Sequence, residues 1–106
     1  MDITTTESLP GRRITAVKGV AVGSTVRTKN IGKDIGAGLK SLVGGELKSY
    51  SAMLVEARSE ALSRMEAQAI ELGADAAVNL RFMTSAVASG ASEILAYATA
   101  VTTEPV

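Results

Sequence analysis

Three residue types that carry much of enzyme and metal chemistry are missing from this chain: it has no cysteine, no histidine and no tryptophan. Without thiols there are no disulfides and no thiolate nucleophile, and without imidazole no side chain ordinarily titrates near neutral pH. Zinc and copper sites are built mainly from these two ligands. The composition therefore excludes thiol chemistry, histidine-based catalysis and soft-metal ligation.

Aromatic residues and net charge are also scarce. Aromatic residues make up 3% of the chain, and 11 basic and 11 acidic residues cancel. Nucleic-acid modules normally combine a basic surface with stacking aromatics, so nucleic acid is not an expected partner. The start, MDITTTESLP, lacks the basic and then apolar pattern of a leader, and no run has the roughly 18 apolar residues of a membrane span. We expect a cytoplasmic protein with no membrane partner.

The 106 residues, 46% of them hydrophobic, are enough for a single domain spanning residues 1–106. The charges are unevenly placed along it. Residues 12–48 hold eight basic and only two acidic residues, a net charge of about +6, whereas acidic residues dominate after residue 49. If copies of the chain meet, this layout could help to orient them.

The first predicted element is a strand, or a pair of strands, over RRITAVKGVAVGSTVRT, residues 12–28, which is rich in Val, Ile and Thr. Gly19 and Gly23 suggest a bulge or bend within it. The next stretch, GKDIGAGLKSLVGGELKSYS, residues 32–51, could pass for a phosphate-binding loop. Its apolar residues have helical spacing and no GKS or GKT occurs, so we favour a helix that breaks at Gly44–Gly45.

A second helical repeat runs from Glu46 to Leu72 and Gly73 suits its left-handed end. Its apolar stripe is formed by Leu47, Tyr50, Leu54, Ala57, Ala61, Met65, Ala69 and Leu72.

Two strands, residues 76–83 and 93–101, are predicted after this helix, joined by TSAVASGAS. Alternation in the first separates Ala76, Val78, Leu80 and Phe82 from Ala77, Asn79, Arg81 and Met83. In the last strand Ile94, Ala96, Ala98 and Ala100 oppose Leu95, Tyr97, Thr99 and Val101. Both sides of the last strand are largely apolar, and one helix layer covers only one side of a sheet. We expect another copy of the chain to cover the other side.

This order of elements, with the strings NIGKDIGAGLKSLVGGELKSYSAMLVEARSEALSRMEAQAIELGADAAVNLRF and SEILAYATAV, resembles the YbjQ-like family of small bacterial proteins. The resemblance implies a two-layer α+β subunit, dodecin-like with an antiparallel sheet, that assembles into homopentameric rings. The family is labelled as heavy-metal-binding. Ala98, Asp75 and Asn79 depart from the residues frequent in the family.

A metal site in this chain would need oxygen ligands. Glu56 and Glu60, one helical turn apart, are weak candidates for a hard cation, and a solvated helix face with ion pairs is the favoured alternative.

Two groups of basic residues are candidates for an anion site or an interface. Helical counting places Arg58 on the apolar side of the helix. Three roles are open for it: pairing with a carboxylate across a subunit junction, holding an anionic ligand, or reaching water along its aliphatic stem. Arg27, Lys29 and Lys33 precede the predicted first helix, whose N-terminus favours anions, but a solvated basic loop is the better interpretation.

No catalytic residue and no cofactor are predicted. Ser85, Ser89 and Ser92 have no evident partner base, and flavin binding by analogy with dodecins lacks an indole to stack on the ring. The sequence thus predicts a homo-oligomer, a pentamer by resemblance, with a structural or ligand-binding role and no enzymatic activity. The alternatives are metal binding through oxygen ligands and small-anion binding at a subunit junction.

Overall fold

The protein folds into one sheet and a long helix in the computed structural model, which describes residues 1–28 and 45–106 and the helical side chains from residue 51 onward. The elements are β1 Asp2–Ile3, β2 Arg12–Thr28, α1 Gly45–Glu71, β3 Ala76–Ala88 and β4 Ala91–Pro105. The strands form one four-stranded sheet in the order β1-β3-β4-β2. The predicted α+β class and the order of strand, helix, strand and strand are confirmed.

The sheet is mixed, whereas an antiparallel sheet was predicted. β4 pairs antiparallel with both β2 and β3, but β1 pairs parallel with β3. The prediction missed β1 because two residues in a threonine-rich start are too few to show a periodic pattern.

β3 and β4 form a longer hairpin than predicted. The segment TSAVASGAS was predicted as a connection, but most of it is strand, and Ala88 pairs directly with Ala91. Only Ser89 and Gly90 remain for the turn, and Gly90 has the positive φ of 74° that two-residue hairpin turns favour. The prediction missed this part of the strand because its small residues give it a composition typical of a loop.

Alanine residues bring α1 close to the sheet. Ala57, Ala61, Met65 and Ala69 are completely buried, and they repeat every four residues along the helix. They pack against small residues of the central and edge strands, among them Ala21 of β2 and Ala96, Ala98 and Ala100 of β4. The helix ends as predicted, with Gly73 at a φ of +85°. The predicted helix over residues 32–43 and Gly44 of the predicted break at Gly44–Gly45 lie outside the described residues, whereas Gly45 is the first residue of α1.

A β-bulge in β3 reverses part of the predicted alternation. The register with β4 shifts between Val78 and Arg81, and Asn79 has a positive φ of 56°. Because the extra residue changes the parity, Ala77 and Leu80 both face α1. Ala76 and Val78 belong to a smaller cluster with Val101, Leu9 and Ile14. The prediction that Leu80 shares a side with Ala76 and Val78 was therefore wrong.

Candidate functional site

The most prominent surface feature is the side of the sheet that faces away from α1, here called the open face. Cross-strand register and alternation place a row of large apolar side chains on it: Val17, Val20, Val22 and Val26 of β2, Met83 of β3, and Leu95 and Tyr97 of β4. Val20 is 64% exposed, Val26 54% and Met83 55%. Scattered single apolar residues are normal on protein surfaces, but a contiguous apolar patch marks an interaction site.

The open face is covered at one end by the chain itself. Leu9 and Ile14 pack there against Ala76, Val78 and Val101. The N-terminal segment that carries Leu9 is held along β3, where the amide of Leu80 donates to the carbonyl of Thr4 at 2.9 Å. This covered end shows how the sheet buries its second side where a partner segment is available.

The border of the open face at β3 contains Arg81. This residue pairs across the strands with Tyr97. Its guanidinium donates to the carbonyl oxygens of Leu80 at 2.7 Å and Thr5 at 3.0 Å. The charge thus stays at the edge of the apolar surface and joins the N-terminal segment to the bulge.

The outer edge of β2 is bonded by side chains from the helix. The amide of Val22 donates to Gln68 Oε1, and the guanidinium of Arg64 donates to the carbonyl of Ser24 at 2.6 Å. Sequence analysis did not single out Gln68 or Arg64 for this role. The signal was weak, since polar residues at these helix positions look like ordinary solvent-facing ones.

Two arginines converge on one carboxylate beside this edge. Arg27 of β2 forms an ion pair with Glu60 Oε2, and Arg64, four residues later on the helix, pairs with Glu60 Oε1. The hydrogen bond from Arg27 is the main cause that lowers the pKa of Glu60, and the charges of both arginines add to it, while desolvation acts in the opposite direction. Glu60 therefore stays ionised to a lower pH than an ordinary glutamate does.

This cluster bears on the metal candidates. Both carboxylate oxygens of Glu60 accept from guanidinium groups, so neither is free for a cation in this arrangement. Glu56 is exposed on the preceding turn. Among the side chains of residues 1–28 and 51–106, no three of His, Cys, Asp or Glu come together in a way that could hold a metal ion.

Two of the four anion candidates, Arg27 and Arg58, lie among the described residues. Arg27 is engaged with Glu60, and Arg58 is exposed. The buried positions advance by four residues, from Ala57 to Ala61 and onward, so the contact stripe drifts by about 40° per step around the helix. The sequence-based prediction assumed an apolar stripe parallel to the helix axis, which would include Arg58. In the structure the stripe is centred on Ala57 at that level of the helix, so Arg58 lies outside it. Lys29 and Lys33 lie outside the described residues.

One polar network joins the start of β3 to the end of β4. Asp75 accepts from the amide of Thr103 at 3.2 Å and from its hydroxyl at 3.0 Å. The Nε of Arg12 donates to the same threonine oxygen at 2.7 Å. Because every partner is engaged within the network, these contacts fix the strand ends rather than form an open binding site.

Comparison with known proteins identifies the family. A family model described as "Putative heavy-metal-binding" matches residues 1–104. The chain belongs to the YbjQ family. A UPF0145 protein of Methanoculleus marisnigri is 58% identical over 105 residues, covering 99% of this chain and 98% of its own. A UPF0145 protein of Vibrio campbellii is 54% identical over 101 residues, covering 95% and 97%.

These relatives correct one expectation about the YbjQ family. It was predicted to be bacterial, but its members occur in archaea as well as in bacteria. The names of the relatives specify no reaction.

A solved structure supports the fold assigned to this YbjQ member. A protein of unknown function from Pediococcus pentosaceus, of the DUF74 family, superposes with a TM-score of 0.69, covering 98% of each chain at 19% identity. At this identity the similarity concerns the fold alone. Among the described residues of the YbjQ chain, no helix is long and apolar enough to cross a membrane.

The heavy-metal description can be tested against the residues that are present. The full sequence contains neither cysteine nor histidine. Ions such as copper, zinc and cadmium prefer thiolate or imidazole ligands, and carboxylates and carbonyls suit harder ions. The residues of this YbjQ chain therefore do not fit a thiolate or imidazole heavy-metal site.

Proposed function

We propose that this protein acts as a homo-oligomer, with five copies in a ring, whose role is structural or is to hold a ligand between subunits. The observation that carries the proposal is the open face, where Val20 and Val26, residues of a type that typically lies in a sheet core, are more than half exposed. β2 is a 17-residue strand with apolar residues on both faces, and such strands are typically buried on both sides of the sheet. A second copy of the chain supplies that burial without any other partner.

The energetics favour association through this surface. Burying an apolar side chain of valine or leucine size contributes about 1.5 to 3 kcal/mol. Association itself costs about 4 to 15 kcal/mol. The free energy gained by burying several such side chains exceeds this cost only if the two surfaces pack closely against each other. The formal net charge of zero means that copies do not repel one another as whole molecules.

A second candidate is an anion site at a subunit junction, favoured by the pair of arginines on Glu60. Two guanidinium groups face one carboxylate, so the cluster carries an excess positive charge at the surface. Arginine is suited to bidentate recognition of phosphate or carboxylate groups. The oxygen-ligand metal alternative has less support because the same contacts occupy Glu60.

Mass measurement under native conditions tests the oligomer. We expect the wild-type protein to be a ring at micromolar concentration and Val20→Lys to be monomeric, because a lysine in the open face would be buried at the interface. Val55→Lys is a matched control, since Val55 is 57% exposed but lies on the helix. A monomeric wild-type protein that unfolds cooperatively would overturn the proposal.

Thermal melts with a panel of ligands separate the two candidates. An assembly with no small ligand should melt at the same temperature with phosphate, magnesium, manganese and zinc. A binder should melt higher with one of them, and the shift should grow with ligand concentration by mass action. A phosphate shift that disappears in Arg64→Gln would support the anion site.

A further inference from the structure

The two long edges of the sheet differ in how much of their backbone is already bonded. Residues of a strand point their amide and carbonyl groups alternately to either side. On β2, Val22 and Ser24 point these groups away from β4, and the outward amide of Val22 is bonded to Gln68 while the outward carbonyl of Ser24 is bonded to Arg64. Adding another strand at the centre of this edge would break both bonds.

At the opposite edge, along β3, the backbone hydrogen bonds among the described residues lie at the beginning of the strand. There the amide of Thr4 donates to the carbonyl of Ala77 at 3.0 Å, and the amides of Asn79 and Leu80 donate to the carbonyls of Thr6 and Thr4. Counting on by twos from Leu80, the amides and carbonyls of Phe82, Thr84 and Ala86 point outward as well. In the part of the chain that the structure describes, no strand pairs with this stretch.

The same stretch lacks the devices that usually protect an edge. From Phe82 to Ser92 there is no charged residue and no proline. Natural edge strands normally carry lysine, proline or a covering element, because an unprotected edge pairs with another chain. Phe82 lies on the side of the sheet that carries α1 and is 42% exposed. Within residues 1–28 and 45–106, no strand pairs with the backbone of this edge, and its side chains from Arg81 to Ala88 are exposed.

We propose that the β3 edge from Phe82 to Ala86 pairs antiparallel with the same edge of a second copy of this chain. The distribution of charged residues favours the β3 edge of a second copy as the partner. An uncharged stretch set against itself opposes no like charges, whereas β2 carries four basic residues and no acidic one, so two β2 edges would repel. Pairing of β3 with the β2 edge of another copy is opposed by Gln68 and Arg64.

The inference rests on the proposed self-association and adds a second contact to it. Edge pairing of β3 with β3 relates the two copies by a two-fold axis, so it joins subunits in pairs and cannot by itself close a ring of five. If the open face forms the ring, β3 edges join two rings into a particle of twice the mass.

Proline at position 84 tests the edge contact directly. Thr84→Pro removes the outward amide, and proline is tolerated within a protomer when its missing donor faces away from the sheet. We expect this variant to have half the mass of the wild-type particle, while Thr84→Val, which keeps the amide, has the full mass. Amide hydrogen exchange at Phe82 and Ala86, the neighbouring outward amides, should be slow in the wild type and fast in Thr84→Pro.

A second variant decides the case if Thr84→Pro does not fold. Thr84→Lys leaves the backbone intact and places like charges near each other across the two-fold axis, so it should also halve the mass. An unchanged mass in Thr84→Lys or in a folded Thr84→Pro would overturn the edge pairing while leaving the ring proposal standing. A monomeric wild-type protein would overturn both.

Discussion

Gly23 of β2 lies directly against the backbone of Ala61 in α1. A Cβ atom built on Gly23 would come within 3.0 Å of backbone atoms of Ala61, Arg64 and Met65. Real Cβ atoms essentially never approach other atoms so closely. Glycine at this position, facing alanines on the helix, therefore sets the distance between the two layers and explains why small residues dominate the core.

The first prediction follows from this contact. Gly23→Ala should lower the free energy of unfolding by about 3 kcal/mol or more, because backbone atoms cannot move aside as a flexible side chain can. Chemical denaturation followed by circular dichroism measures the change. Gly11→Ala is the control: nothing lies within 4 Å of its Cβ position, so only its positive φ of 80° opposes alanine and the loss should be about 1 kcal/mol. Equal losses in the two variants would contradict the close approach.

The second prediction concerns Met65, one of the largest fully buried side chains of the described residues. Truncation to alanine leaves a cavity between α1 and the sheet, and the loss should be about 2 to 5 kcal/mol. Val55→Ala, at a helix position that is 57% exposed, should change stability by less than about 0.5 kcal/mol. Denaturant midpoints of the two variants measure the difference, and a small loss for Met65→Ala would show that the site collapses or is less buried than described.

Sequence alone predicted the parts of the fold that depend on simple periodicity. The helix from Glu46 onward, its end at Gly73 and the alternation in β4 all follow from regular spacing of apolar residues or from the φ that glycine permits. These features are local, so a single window of sequence contains the information.

The parts that were missed depend on contacts between distant segments. The bulge at Asn79 changes which side Leu80 faces, and nothing in the local pattern records one extra residue in the ladder. β1 forms only because residues 2–6 make backbone hydrogen bonds with β3, which is distant in the sequence. The roles of Gln68 and Arg64 likewise require knowing which strand lies at the edge. The open face, in contrast, was predicted, since β4 is apolar on both sides.

The third prediction is that the stability of the protein depends on pH through the ionisation of Glu60. Its pKa is lowered below the ordinary value of 4.5, chiefly by the hydrogen bond from Arg27. The stabilisation is therefore complete above about pH 4.5 and is lost as the pH falls through the lowered pKa of the folded protein. Glu60→Gln should lower the melting temperature near neutral pH, and its effect should shrink as the pH falls below 4.5 and through the lowered pKa of the wild-type carboxylate.

Glu56→Gln is the matched control for this effect, because Glu56 is an exposed glutamate one turn away on the same helix. Melting temperatures of both variants and the wild type, measured from about pH 3 to pH 7, provide the comparison. If Glu60→Gln and Glu56→Gln follow the same curve, the ion pairs with Arg27 and Arg64 do not persist in solution.

The fourth prediction tests whether Gln68 protects the edge of β2. Gln68→Ala leaves the amide of Val22 without its acceptor, so hydrogen exchange at Val22 should accelerate while the amides of β2 that face β4 stay protected. The lost hydrogen bond should lower the free energy of unfolding by about 1 kcal/mol. Gln68→Glu keeps an acceptor at this position and should retain slow exchange at Val22. Because an unbonded edge recruits other strands, Gln68→Ala should also form heavier species than the wild type at high concentration, which light scattering would detect. Unchanged exchange at Val22 in Gln68→Ala would mean that another group covers this edge, and the asymmetry between the β2 and β3 edges would then have to be explained without the helix side chains.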